Sequence, residues 1–160
     1  MFFAEMATAA PSYMARLEDQ EFYQRELASF IPDRVFDAHT HVWHSDHIVF
    51  PDIFPPIVDY ETYVQMMEDI HPGRVTKGLF LPVFRDPKFI GAANQFTSLQ
   101  TAKDRNCRGH FFIAPEDDPE WVRQEVKRLG LHGLKCYHVL ARSVVPTWQA
   151  QIPDYLPEPV

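Results

Sequence analysis

The sequence predicts an α/β fold with a parallel sheet, and three observations carry that expectation. Four short apolar segments alternate with helix-period stretches along the 160 residues, the rhythm of successive βαβ units. Two of the intervening helices open on Asp-Pro, a cap followed by a proline at the first helical position. The composition, 46% apolar and 23% charged, is that of an ordinary globular chain. Units of this kind cross over right-handed.

Ser12 can cap a first helix running to about Ser29, with Met14, Leu17, Leu27 and Phe30 as an uneven apolar stripe. A strand follows from Arg34 to His41. The segment from Val42 to Asp59 is rich in aromatics and proline, lacks either period, and reads as a long loop. Asp59 then caps a helix over Tyr60 to Ile70, which His71-Pro72-Gly73 stops. The next strand spans Thr76 to Phe84, and Asp86-Pro87 starts a helix to about Arg105. A third strand covers Gly109 to Ala114, and Asp118-Pro119 starts a helix to Leu129. The fourth strand runs from Leu131 to Leu140, after which prolines punctuate the chain. Residues 1–33 are thus expected as an N-terminal helical extension and 34–160 as one domain.

Several function classes are disfavoured at once. A net charge of -7 without clustered Lys or Arg argues against a nucleic-acid surface. No segment approaches the roughly 18 apolar residues of a membrane span. The N-terminus lacks the basic region of a signal peptide, so a cytoplasmic location is expected. Cys107 and Cys136 read as reduced core thiols. A nucleotide-binding doubly wound domain fits the βα rhythm but needs a glycine-rich turn after its first strand, where Asp37-Ala38-His39-Thr40-His41 stands instead.

That first strand carries the chemistry. Residues i and i+2 of a strand share a face, so Asp37, His39 and His41 are expected on one side and Phe36, Ala38 and Thr40 on the other, against the helices. Two imidazoles about 7 Å apart along a strand can converge on one divalent ion. A metal there lowers the pKa of a bound water to about 7 and polarises the bond to be cleaved. With eight histidines in the chain, a His-x-His triplet arises by chance roughly 0.4 times, so spacing alone is weak. Its position is more telling, because parallel α/β folds place their chemistry at the C-terminal ends of strands. The plain alternative is two solvent-facing histidines at a strand terminus.

The segment Val35-Phe36-Asp37-Ala38-His39-Thr40-His41 resembles the Asp-x-His-x-His strand motif of the amidohydrolase superfamily. Gly133-Leu134-Lys135-Cys136-Tyr137 is similar to a Gly-x-Lys strand of its amidohydrolase 2 branch. The resemblance covers roughly Val35 to Leu140. It implies a (β/α)8 barrel of the TIM type and a divalent metal, most often zinc, with manganese, iron or cobalt as alternatives. It implies His39 and His41 as metal ligands. Members also need histidines on later strands and an aspartate ending strand eight, and no histidine follows Leu140 here. The expectation is therefore a partial barrel, its first half, with about four strands and three to four helices. Either the sequence is a truncated or split gene product, or the missing ligands come from another copy in a homo-oligomer or from a complementing C-terminal half-barrel.

Among other residues, Lys135 lies on the fourth strand, where the superfamily uses a lysine to bridge metals, to bind substrate, or for neither; a structural ion pair is the plain alternative. If Lys135 faces inward, so do Gly133 and Tyr137, while His138 faces the helices. Arg85 ends the second strand and could clamp a substrate carboxylate, or be a surface arginine. Trp43, His44, Asp46 and His47 open the long loop, a place for a lid or binding residue, with Trp43 the candidate substrate contact, or for a packed surface loop. His71, His110 and His132 show no ligand spacing. Asp86 and Asp118 are helix caps, with Glu116 and Asp117 solvated. Three functions follow: a hydrolase attacking an ester, lactone or amide of a small carboxylated substrate, a nonoxidative decarboxylase built from similar parts, or a catalytically incomplete chain that acts by assembly with a partner.

Overall fold

The computed structural model describes residues 14–51, 54–141 and 146–156. An N-terminal helix, α1 (Leu17–Phe22), runs into a five-residue π-turn, Tyr23–Leu27. Strand β1 (Arg34–Val42) leads through the long loop to α2 (Tyr60–Ile70). Then come β2 (Val75–Pro82), α3 (Ile90–Thr101), β3 (Arg108–Phe112), α4 (Pro119–Leu129) and β4 (Gly133–Lys135), with a last short helix, α5 (Ile152–Tyr155). The four strands form one sheet in the order β1-β2-β3-β4, and every pairing is parallel. The α/β class is as expected. No described helix is long and apolar enough to cross a membrane.

Local chemistry explains where the helices start and stop. The Asp59 carboxylate accepts from Thr62 N at 2.8 Å and that of Asp118 from Trp121 N at 2.8 Å, each satisfying an orphan amide of the first turn. Asp86 does the same for Lys88 N at 3.0 Å, but its proline opens a short 3-10 turn, Pro87–Phe89, before α3. Gly130, at φ 63°, closes α4 in the left-handed region that a side chain would strain.

The core lies between sheet and helices. Tyr63 of α2 meets Phe80 of β2 edge-on at 5.0 Å, among Val42, Val58 and Cys107. Beneath α4, Phe111, Ile113, Val122, Leu129 and Leu131 form a second cluster.

Three expectations need correction. The N-terminal helix starts at Leu17, not after Ser12, which lies outside the described residues, and it loses α geometry at Tyr23. A π-turn adds a residue to the turn; Tyr23 is the buried residue of this segment, while none of α1 is buried.

The fourth strand is three residues, not ten. Its ladder runs only from His110↔Gly133 to Phe112↔Lys135, and β3 ends at Phe112. Tyr137 remains extended (φ -149°, ψ 136°), but without a neighbouring strand to bond the backbone coils into a 3-10 turn at His138–Leu140.

The third correction concerns β1. Asp37 pairs with Gly78 and Thr40 with Phe80, so three steps on β1 match two on β2. This bulge flips the phase of the strand. Gly78 and Phe80 are on the helix side, where a Cβ on Gly78 would meet the Tyr63 hydroxyl at 2.8 Å and Thr40 Cγ2 at 3.0 Å. Thr40 faces the helices as expected. Asp37 shares that face instead of the face of His41, and Phe36, paired with Lys77, is 50% exposed.

Candidate functional site

The C-terminal ends of the strands open onto a cavity of about 720 Å³. Every one of the five sequence-predicted residues lines it: His39 and His41 from β1, Trp43 just beyond, Arg85 after β2, and Lys135 from the end of β4. The bulge that displaced Asp37 leaves the two imidazoles side by side, ring centroids 5.2 Å apart and 69° between planes. Asp37 still serves the motif from the other face, where its Oδ1 accepts the His39 amide at 3.0 Å.

His41 is the more enclosed of the pair. Its Nδ1 is buried with no hydrogen-bond partner among the described residues. Burial lowers its pKa, and the neighbouring positive charges of His39 and Lys135 lower it further. A neutral imidazole is the form a metal ligand requires. The pair therefore suits two positions around a divalent cation. Among the described residues, no group of three or more His, Cys, Asp or Glu comes together.

The walls are aromatic. Phe84 and Phe112 meet edge-to-face at 4.6 Å on one side, and Trp43 meets Phe50 at 4.8 Å on the other. Trp43 also has a structural job: its Nε1 donates to Pro55 O at 3.1 Å, and its backbone exchanges two hydrogen bonds with Val58. It is 9% exposed and lines the cavity while pinning the loop.

The cavity carries positive charge without a matching acid. Its described lining contains Arg85 and Lys135 but no Asp or Glu. Lys135 Nζ lies 5.4 Å above the Tyr137 ring. Neither cation forms an ion pair with a described residue, although the chain as a whole carries -7. Arg85 is exposed and lies beyond the strand end, held by its backbone N–H donating to His47 O at 3.0 Å.

Sequence reasoning missed the contributions of Phe84, Phe112 and Val139, while Tyr137 entered only through its alternation with Lys135. The signal for Phe112 was present: it ends an apolar strand on the side of Lys135, its ladder partner. His110 is placed on that same face, with its ring filling the space above Gly133; a Cβ there would stand 2.8 Å from its Nε2. Burial lowers the His110 pKa, with Lys135 adding to the effect, yet His110 does not line the cavity.

Other candidates fall elsewhere. His44 and His47 turn away from the cavity to lie against Phe96. His138 does not line it either, but strand alternation is not the reason, because the strand ends at Lys135 and His138 lies in the 3-10 turn that follows. His71 lies by Tyr23, and His132 Nδ1 accepts from Gly109 N at 3.4 Å. Asp117 is not simply solvated: its Oδ2 accepts from Ala114 N at 2.7 Å, and burial raises its pKa. No family model, curated protein or solved structure matches the chain.

Proposed function

We propose that the chain is the first half of a (β/α)8 barrel of the amidohydrolase type, a metal-dependent hydrolase acting on an ester, lactone or amide of a small carboxylated substrate. The observation that carries this reading is the convergence of His39, His41, Arg85 and Lys135 on one cavity at the C-terminal ends of parallel strands. His39 and His41 would hold the cation, most simply zinc. When bound, it would supply an activated water and polarise the scissile carbonyl.

The protein's own groups would do the rest. Arg85 can take a carboxylate in bidentate fashion, and Lys135 can take a second negative oxygen nearer the imidazoles. The Phe84–Phe112 and Trp43–Phe50 walls keep bulk water from the substrate body, which strengthens those charge contacts. The lowered pKa of His41 favours its neutral form, the form in which it would hold the cation. The same residues would serve a nonoxidative decarboxylation, with the cation stabilising a carbanion.

Two imidazoles are one short of the three protein ligands of a catalytic zinc site. The reading therefore needs a third ligand from outside the described lining, supplied by a second copy, a complementing C-terminal half-barrel or further residues of the protein. The test combines metal analysis, mass in solution and lactone hydrolysis on the purified chain and on His39→Asn/His41→Asn. Stoichiometric zinc in a dimer, lost together with lactone turnover in the double variant, is the expected result. A metal-free monomer that stays metal-free when zinc is added overturns the reading for this chain.

A further inference from the structure

The first loop carries a second pair of imidazoles that the cavity does not use. His47 N donates to His44 O at 2.9 Å, a single turn that brings their ring centroids to 5.9 Å. Both rings lie against Phe96 of α3, at 5.8 Å for His44 and 6.1 Å for His47. His47 also lies 6.3 Å from Phe89. The two differ in their polar partners. His44 Nδ1 accepts from Asp46 N at 3.2 Å and has the Asp46 carboxylate at 3.4 Å. His47 Nδ1 is buried and has no partner among the described residues.

This turn is tied to the cavity at both ends. Trp43 directly precedes it, and the His47 carbonyl accepts the backbone N–H of Arg85. Three residues beyond His47, Phe50 packs on Trp43 to form one wall. The turn therefore links that wall to Phe96 of α3.

Protonation would work against this arrangement. An imidazolium has two N–H donors, and on His47 one of them would be buried among phenyl rings without an acceptor. The charged groups around it offer little relief. On the turn itself, the Asp46 carboxylate favours a charged His47, but it lies against His44 at 3.4 Å and its pull is smaller than the opposing effect of burial. The connection between β2 and α3 brings Arg85, Asp86 and Lys88, of which Asp86 and Lys88 pair with each other at 3.6 Å. From α3 the turn meets Phe96, which does not titrate.

We propose that the His44–His47 turn is a pH-sensitive clasp: with the His47 imidazole neutral it holds Phe50 on Trp43 and closes that wall of the cavity, and when His47 is protonated it releases the wall. Burial first, and the charge of His44 second, hold His47 below the ordinary 6.5, so release belongs on the acid side of that value. The clasp does not depend on the metal reading, since neither histidine lines the cavity.

The chain with Trp121→Phe and Trp148→Phe leaves Trp43 as its one indole, and those two residues are 45% and 76% exposed. The Trp43 near-ultraviolet circular dichroism and its indole N–H resonance are followed from about pH 8 to about pH 5, the range over which histidine titrates. The His47 ring proton and the far-ultraviolet signal are followed in parallel. Expected is a Trp43 transition with a midpoint below 6.5, coincident with the His47 titration, while the far-ultraviolet signal holds. In His47→Phe, which keeps a ring against Phe96 but takes up no proton, the transition should vanish. Persistence of the transition in that variant overturns the clasp. So does a silent Trp43 while His47 titrates, or loss of both optical signals together. Should His47→Phe fail to fold, coincidence of the two curves in the parent chain decides the matter.

Discussion

Asn94 lies on α3, 1% exposed, and its amide makes two hydrogen bonds to one residue of the sheet. Its Nδ2 donates to Phe112 O at 2.9 Å, and its Oδ1 accepts from Phe112 N at 2.7 Å. Phe112 is where β3 ends and its ring enters the cavity wall, so one helical side chain terminates the strand and sets the wall. Replacing it with a leucine of similar size would leave both backbone groups buried and unpaired. Each such group costs about 1–3 kcal/mol. Asn94→Leu should therefore lower stability by roughly 2–4 kcal/mol, read as a lower urea midpoint with an unchanged slope. Nothing in the sequence announced this, because the partner is 18 residues away and a mid-helix asparagine has no periodic signature. His39 and His41 were legible for the opposite reason: their relation is local to one strand. Even there the bulge rearranged the neighbourhood and sent Asp37 to the other face.

At the scale of elements, α4 shows how local chemistry and packing combine. Its start is the Asp118 cap with Pro119 behind it, its end is Gly130, and between them Val122 and Leu129 are buried against Phe111 and Leu131. Asp118→Ala removes the acceptor of Trp121 N and should cost about 1 kcal/mol, a lower midpoint in thermal melting. Asp118→Asn should recover most of it, since asparagine caps as well. Helix starts were readable because a cap acts within three residues. Strand ends were not, because they depend on what lies alongside. β4 stops at Lys135 where β3 stops supplying partners, although its sequence stays apolar to Leu140. β2 likewise ends at Pro82, which has no amide to extend a ladder, two residues before the apolar run does. The N-terminal π-turn had no local signal either, and Tyr23 accounts for it only through its buried position.

Across the whole molecule, the histidines with shifted pKa values point one way near neutrality. His41, His47, His110 and His132 all have pKa values lowered from 6.5, with burial the first cause in each. For an imidazole whose folded value lies below its unfolded value, the unfolded chain binds the proton more readily. Stability is then fully present above about 6.5 and declines as pH falls from there toward the folded values. The principal carboxylate term does not interfere in that window. Asp104, bonded to Lys77, Tyr60 and Asn106, has its pKa pushed well below 3.8, so its contribution persists until the pH nears the ordinary carboxylate range. The urea midpoint of the chain, measured in chelator so that no metal competes for His41, should fall steadily between about pH 7 and about pH 5. A double variant, His47→Phe with His110→Gln, removes two of the four groups and should flatten the fall. A midpoint constant over that range would mean that these imidazoles accept protons as freely in the fold as in water, and the burial assigned to the sheet face and to the loop would be wrong.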